Sequence, residues 1–141
     1  MYEDWNTAGK RVFSRADQRL SKATDWRIFF KDFLIEYEDV GFSAKLESRL
    51  IQAMGVYAEL RRLEQDYTSW ANAKMTDYIH HFAPKCTKDR ATAMASMLLE
   101  WDAALANQEI THTDPVQDLI IDKTHSALLY LLQECIEGPH A

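Results

Sequence analysis

Apolar residues recur along this chain three and four positions apart, the period of an α-helix that buries one face. The first such segment runs from about Asp4 to Ala23, with Val12, Phe13, Ala16 and Leu20 on one stripe. Thr24 and Asp25 can then accept hydrogen bonds from the unpaired N–H groups of a second helix. Its stripe is aromatic: Trp26, Phe29, Phe30, Phe33 and Tyr37. It is expected to end near Gly41, where glycine relaxes the backbone. Ser43 caps a short third helix that buries Leu46, Leu50, Ile51 and Met54 and breaks at Gly55. A long fourth helix follows from about Tyr57 to Phe82. Leu60, Leu63, Tyr67, Trp70, Ala71, Tyr78 and Phe82 mark its apolar side, and Pro84 blocks its continuation. Thr87 caps a fifth, to about Asn107, with Ala91, Met94, Leu98, Trp101 and Leu105 in register. Thr113-Asp114-Pro115 starts a sixth, because proline at the first helical position forfeits no needed hydrogen bond. That helix reaches about Ile136 and stops at Gly138-Pro139.

No alternating stretch of strand length competes with these helices, and no repeat or change of composition divides the chain. The expectation is an all-α fold of about six helices. The last helix is apolar on two sides. Val116, Ile120, Ala127 and Leu131 form one stripe, Leu119, Leu128, Leu132 and Ile136 a second, with Ile121 and Leu129 further round. A surface helix of a monomer needs an apolar face of about 100°. The surplus means either that this helix is central to the domain or that it faces a partner subunit, and a terminal helix is rarely central. Ala91, Ala93, Ala95, Ala103 and Ala104 on the fifth helix would permit close approach, so the last two helices are expected to build a four-helix interface in a homodimer.

Composition narrows the function. The 141 residues are 47% apolar and 27% charged, enough for one well-packed core. No apolar run approaches the ~20 residues of a membrane span, and no secretory leader opens the sequence, so the expected location is cytoplasmic. The net charge of −6 argues against a broad nucleic-acid-binding face. The charge is uneven, however: Lys10, Arg11, Arg15, Arg19 and Lys22 stand against Asp17 alone in a basic first helix. Cys86 and Cys135 are far apart, without metal-ligand spacing, and read as two reduced thiols packed as small apolar groups.

Catalytic signatures are missing from the sequence: no phosphate loop, dinucleotide glycine motif, HExxH or nucleophile elbow occurs. Asp118, Asp122 and His125 could share a helix face as metal ligands, but an exposed polar stripe explains them as well. His80 and His81 diverge by about 100° and do not share an ion. His81 is either a ligand hydrogen-bond donor or an ordinary rim histidine. The carboxylates Glu36, Glu38, Asp39, Glu64 and Asp66 lack an apolar surround that would tune a catalytic acid. No enzyme, cofactor or metal is expected. The unusual feature is the density of aromatic residues on facing helices, with methionines alongside, which suits either core packing or the walls of a ligand pocket.

Three regions of the chain carry a family resemblance. Arg49-Leu50-Ile51-Gln52-Ala53-Met54, followed by Tyr57-Ala58-Glu59-Leu60-Arg61-Arg62-Leu63-Glu64-Gln65, resembles the C-terminal domain of tetracycline-repressor (TetR) family transcriptional regulators, with Ala58 where that family often has proline. Leu98-Leu99-Glu100-Trp101-Asp102-Ala103-Ala104-Leu105 is similar to the next family helix, though the usual Asp-Gly-Leu is here Asp-Ala-Ala-Leu. Asp114 to Ile136 looks like the family's dimerisation helix.

The resemblance, over residues 24–137, implies an effector-binding and dimerisation domain that takes a small hydrophobic or amphipathic molecule. In the family such binding is coupled to release of DNA. Trp26, Phe30, Phe33, Met54, Tyr67, Trp70, Tyr78 and Met94 are the expected pocket residues, and Leu98, Leu105, Leu119, Ile120, Ala127, Leu128 and Leu131 the expected dimer face. The family's DNA reader is an N-terminal helix-turn-helix, and residues 1–23 make at most one basic helix, a candidate linker to such a head. DNA contact is therefore expected only through a domain not present in this sequence. The competing reading is a helical protein–protein interaction module with a filled core.

Overall fold

The computed structural model describes residues 2–37, 57–108 and 114–138. Five helices make up almost all of it, and no strand occurs among the described residues. They are α1 (Tyr2–Leu20), α2 (26–37 as described), α3 (Tyr57–Phe82), α4 (Lys88–Gln108) and α5 (Asp114–Glu137). The expected short helix over Leu46 to Met54 lies outside the described residues.

Local chemistry sets the helix ends. Asp25 Oδ1 accepts the backbone N–H of Arg27 at 2.9 Å and caps α2. Thr87 Oγ1 does the same for Arg90 N at 3.3 Å, at the head of α4. Pro84 lies two residues beyond the end of α3, and Pro115 sits in the first turn of α5. Gly138 follows α5 where a Cβ would collide with the Glu134 carbonyl, so the residue there must be glycine unless the chain end shifts.

The helices pack in an order close to that of the sequence. α1 lies on α3, α3 on α4 and α4 on α5. α2 joins them through its rings. Phe33 meets Phe13 of α1, while Phe29 meets Tyr78 and Phe82 of α3. Val12, Phe13 and Ala16 are fully buried, so the first helix is part of the core rather than an appendage to it. The same core continues through Met75 and Ile79 of α3 and Leu98 of α4 to Leu128 and Leu132 of α5.

α1 also approaches α3 too closely for a side chain at position 9. A Cβ on Gly9 would overlap the Tyr67 hydroxyl, which bonds to the Tyr37 hydroxyl at 2.9 Å.

Candidate functional site

The expected pocket residues that are described do not all lie in one place. Phe33, Tyr67, Trp70 and Tyr78 gather at one aromatic centre, three of them with rings 5.0–6.1 Å from that of Phe13. Tyr67 reaches the centre through Trp70, at 5.9 Å. Phe30 lies beyond, edge-on to Phe29 and Phe82. Trp26 stands at the far end of α2, where its indole Nε1 donates to Glu137 Oε1 at 3.0 Å and Arg27 lies over its ring. Met94 is buried on α4, and Met54 is outside the described residues. The rings at the centre meet edge to face or stacked, the geometry by which aromatic side chains fill one another's space.

Tyr78 gives this centre a fixed polar point. Its hydroxyl has the Phe13 carbonyl at 3.0 Å and Asp17 Oδ1 at 2.7 Å as acceptors. Burial, reinforced by the Asp17 charge, pushes the phenol well above its ordinary range, so it stays a neutral donor. Burial also raises Tyr67, to about 12, against the opposing hydrogen bond with Tyr37.

The basic stripe of α1 is partly consumed inside the chain. Arg15 and Arg19 both pair with Glu36 of α2, at 3.0 and 2.6 Å. Lys10 lies 5.5 Å from the Trp70 ring centre, and Asp17 takes Lys74 of α3 at 2.6 Å. These contacts hold α1 against α2 and α3, a use of the charge that the sequence alone did not indicate.

A second polar group lies deeper, between α4 and α5. Asp102 is 1% exposed and His125 5%, and Asp102 Oδ1 stands 3.6 Å from His125 Nε2. Two turns earlier on α5, Gln117 is 7% exposed, and neither its Nε2 nor its Oε1 has a protein hydrogen-bond partner. Burying an amide in this way costs about 1–3 kcal/mol. Leu98, Leu105 and Leu128 are also buried on these two helices. Three polar positions are thus buried on these two helices, Gln117 alone of them with an unsatisfied side chain.

His125 corrects both sequence readings of the Asp118, Asp122 and His125 trio. It is neither a solvated stripe residue nor turned to those carboxylates. α4 covers it and Asp102 faces it, while Asp118 and Asp122 are exposed. No group of three or more potential metal ligands occurs among the described residues. His81 is an exposed rim residue, edge-on to Phe82. His80 Nε2 contacts the Cys86 carbonyl at 3.1 Å.

No family model, curated protein or solved structure matches the chain. Its function must therefore be argued from its own residues.

The expected dimer residues are also divided. Leu98, Leu105 and Leu128 are buried within the chain, Ile120 and Leu131 are half-buried, and Leu119 and Ala127 are exposed. Val116, Leu119, Ala127 and Tyr130 recur at helical spacing along one exposed side of α5, with Leu119 58% and Tyr130 66% exposed. Lys123 interrupts this stripe once. Val116 and Tyr130 belong to it although the expected interface omitted them. Trp101 of α4 is a further large exposed apolar side chain, 40% accessible. No helix among the described residues is long and apolar enough to cross a membrane.

Proposed function

We propose that the chain is a small-molecule-binding helical domain that works as a homodimer, the effector-sensing part of a regulator of the tetracycline-repressor kind. The observation that carries the binding reading is Gln117. A carboxamide buried to this degree, with neither end satisfied by protein, suits a guest that offers a donor and an acceptor side by side. Asp102 and His125 add a second buried polar pair, 3.6 Å apart, between α4 and α5. Of the residues expected to wall a pocket, Phe33, Tyr67, Trp70 and Tyr78 form a rigid aromatic centre around Phe13. The exposed stripe of α5 supports dimerisation, and it equally suits a protein partner in the competing interaction-module reading. The regulator assignment rests on the resemblance over residues 24–137, and operator contact would belong to a helix-turn-helix outside this sequence.

The test is a thermal-shift screen of wild type and Gln117→Met against apolar compounds carrying an amide, lactam or carboxylic acid. The substitution keeps the shape and removes both unsatisfied groups. Unliganded Gln117→Met should melt higher than wild type, by about 1–2 kcal/mol of stability. Compounds that raise the wild-type melting temperature should fail on the variant. If Gln117→Met is more stable and every compound shifts both proteins equally, the site holds only water or nothing, and the sensor reading fails.

A further inference from the structure

Cys86 and Cys135 are 49 positions apart, yet their sulfurs approach to 3.1 Å as two free thiols. Neither side of the contact depends on the sulfurs for its position. Cys86 sits in the turn between α3 and α4, where its N–H donates to the Ala83 carbonyl at 3.0 Å and its own carbonyl meets His80 Nε2 at 3.1 Å. Cys135 lies two residues before Glu137, which Trp26 and Arg27 hold from α2. The backbones are thus fixed by other bonds, and the thiols face each other across the gap. A disulfide needs its sulfurs about 2.05 Å apart, so roughly 1 Å of approach separates the contact from the bond. Rotation of the two side chains about their Cα–Cβ bonds supplies motion on that scale.

We propose that Cys86 and Cys135 form a modification site, a dithiol that a peroxide closes to an intrachain disulfide, stapling the end of α5 to the α3–α4 turn. Cys135, the more exposed of the two, attacks one peroxide oxygen as its thiolate. The O–O bond breaks, hydroxide leaves, and Cys135 becomes a sulfenic acid. The Cys86 sulfur then attacks the Cys135 sulfur, the S–O bond breaks, and the second oxygen departs as water once protonated. The two thiols lose two electrons and two protons, and one peroxide yields two waters. Burial and the contact with Cys86 push the Cys135 thiol up to about 12, while Arg90 on α4 acts in the opposite sense.

The experiment treats the full chain with hydrogen peroxide and reads its intact mass without reductant, beside Cys86→Ala and Cys135→Ala. Each variant is first melted in reductant to show that it folds. Wild type should lose about 2 Da, regain it with dithiothreitol, and melt roughly 5–10 °C higher when oxidised, since the staple closes a long loop. Neither variant should lose that mass, and Cys86→Ala should instead gain oxygen at Cys135. Oxygen addition to wild type without the 2 Da loss would overturn the proposal, as would a covalent dimer on a non-reducing gel.

Discussion

Phe13 touches Phe33, Tyr37, Trp70 and Tyr78, and so joins three helices through one ring. Phe13→Ala should cost about 3–5 kcal/mol in a urea unfolding curve, because rings packed from several sides cannot collapse into the cavity. Tyr78→Phe keeps the ring and removes only the hydroxyl that donates to Asp17 and the Phe13 carbonyl. Its cost should be smaller, about 1–2 kcal/mol by the same measurement, and a larger loss would mean that Asp17 does more than accept this bond. The burial of Phe13 was legible from the stripe it shares with Val12, Ala16 and Leu20. Its role as a hub was not, since helical period tells which face is buried and not which other faces meet it. His125 shows the same limit. It lies within about 20° of Asp118 on a helical wheel, so spacing cannot separate them. Only coverage by α4 does, and that depends on Asp102, a residue 23 positions earlier in the sequence.

Most element boundaries were set by near neighbours in sequence and were correspondingly legible, though α1 spans Tyr2–Leu20 where about Asp4 to Ala23 was expected. α3 spans Tyr57–Phe82 as expected, and α4 and α5 agree within a residue at each end. The caps and prolines that fix those ends act over three or four residues. The surplus apolar surface of α5 was also legible, but its sides were not: Leu128 proved internal, whereas Tyr130 proved external. The stripe from Val116 to Tyr130 gives a prediction at this scale. Leu119→Glu and Tyr130→Glu change residues that a lone chain leaves exposed, so each should alter monomer stability by no more than about 0.5 kcal/mol. Both should shift the mass measured by light scattering from dimer to monomer. A wild-type chain that is already monomeric at micromolar concentration would remove the dimer from the proposal. The end of α5 carries a pH signature as well. The indole of Trp26, followed by Arg27, holds the Glu137 carboxyl below its usual 4.5. A carboxyl held low stabilises the folded state once ionised, so this contribution is present above pH 4.5 and is lost as the pH falls through the lowered value. The melting-temperature gap between wild type and Glu137→Gln should therefore be open at neutral pH and close in acid.

At the scale of the whole molecule, the charges of α1 have a use inside the chain. Arg15, Arg19 and Asp17 tie α1 to α2 and α3, and its apolar face enters the common core. A chain beginning at Thr24 should accordingly lose its sharp thermal transition by circular dichroism while retaining much of its helical signal. A transition as sharp as that of the full chain would show that α1 is dispensable to the core. None of these α1 contacts could be read from the sequence, because each joins residues 17 to 65 positions apart whose pairing follows from the packing of whole helices.

The bond from Trp26 to Glu137 bears on how the chain is made. It spans 111 positions, whereas α3, α4 and α5 each pack on the helix next to them in sequence. A ribosome adding about 5–20 residues per second needs roughly 6–22 s to travel from one partner to the other. During that interval the successive helices can settle on one another, but the head of α2 has no α5 to close over it. The indole of Trp26 waits uncovered beside the phenylalanines of its own helix. The head of α2 thus stays adhesive until the last turn of α5 closes over it, so a synthesis pause between the two would prolong its exposure to aggregation.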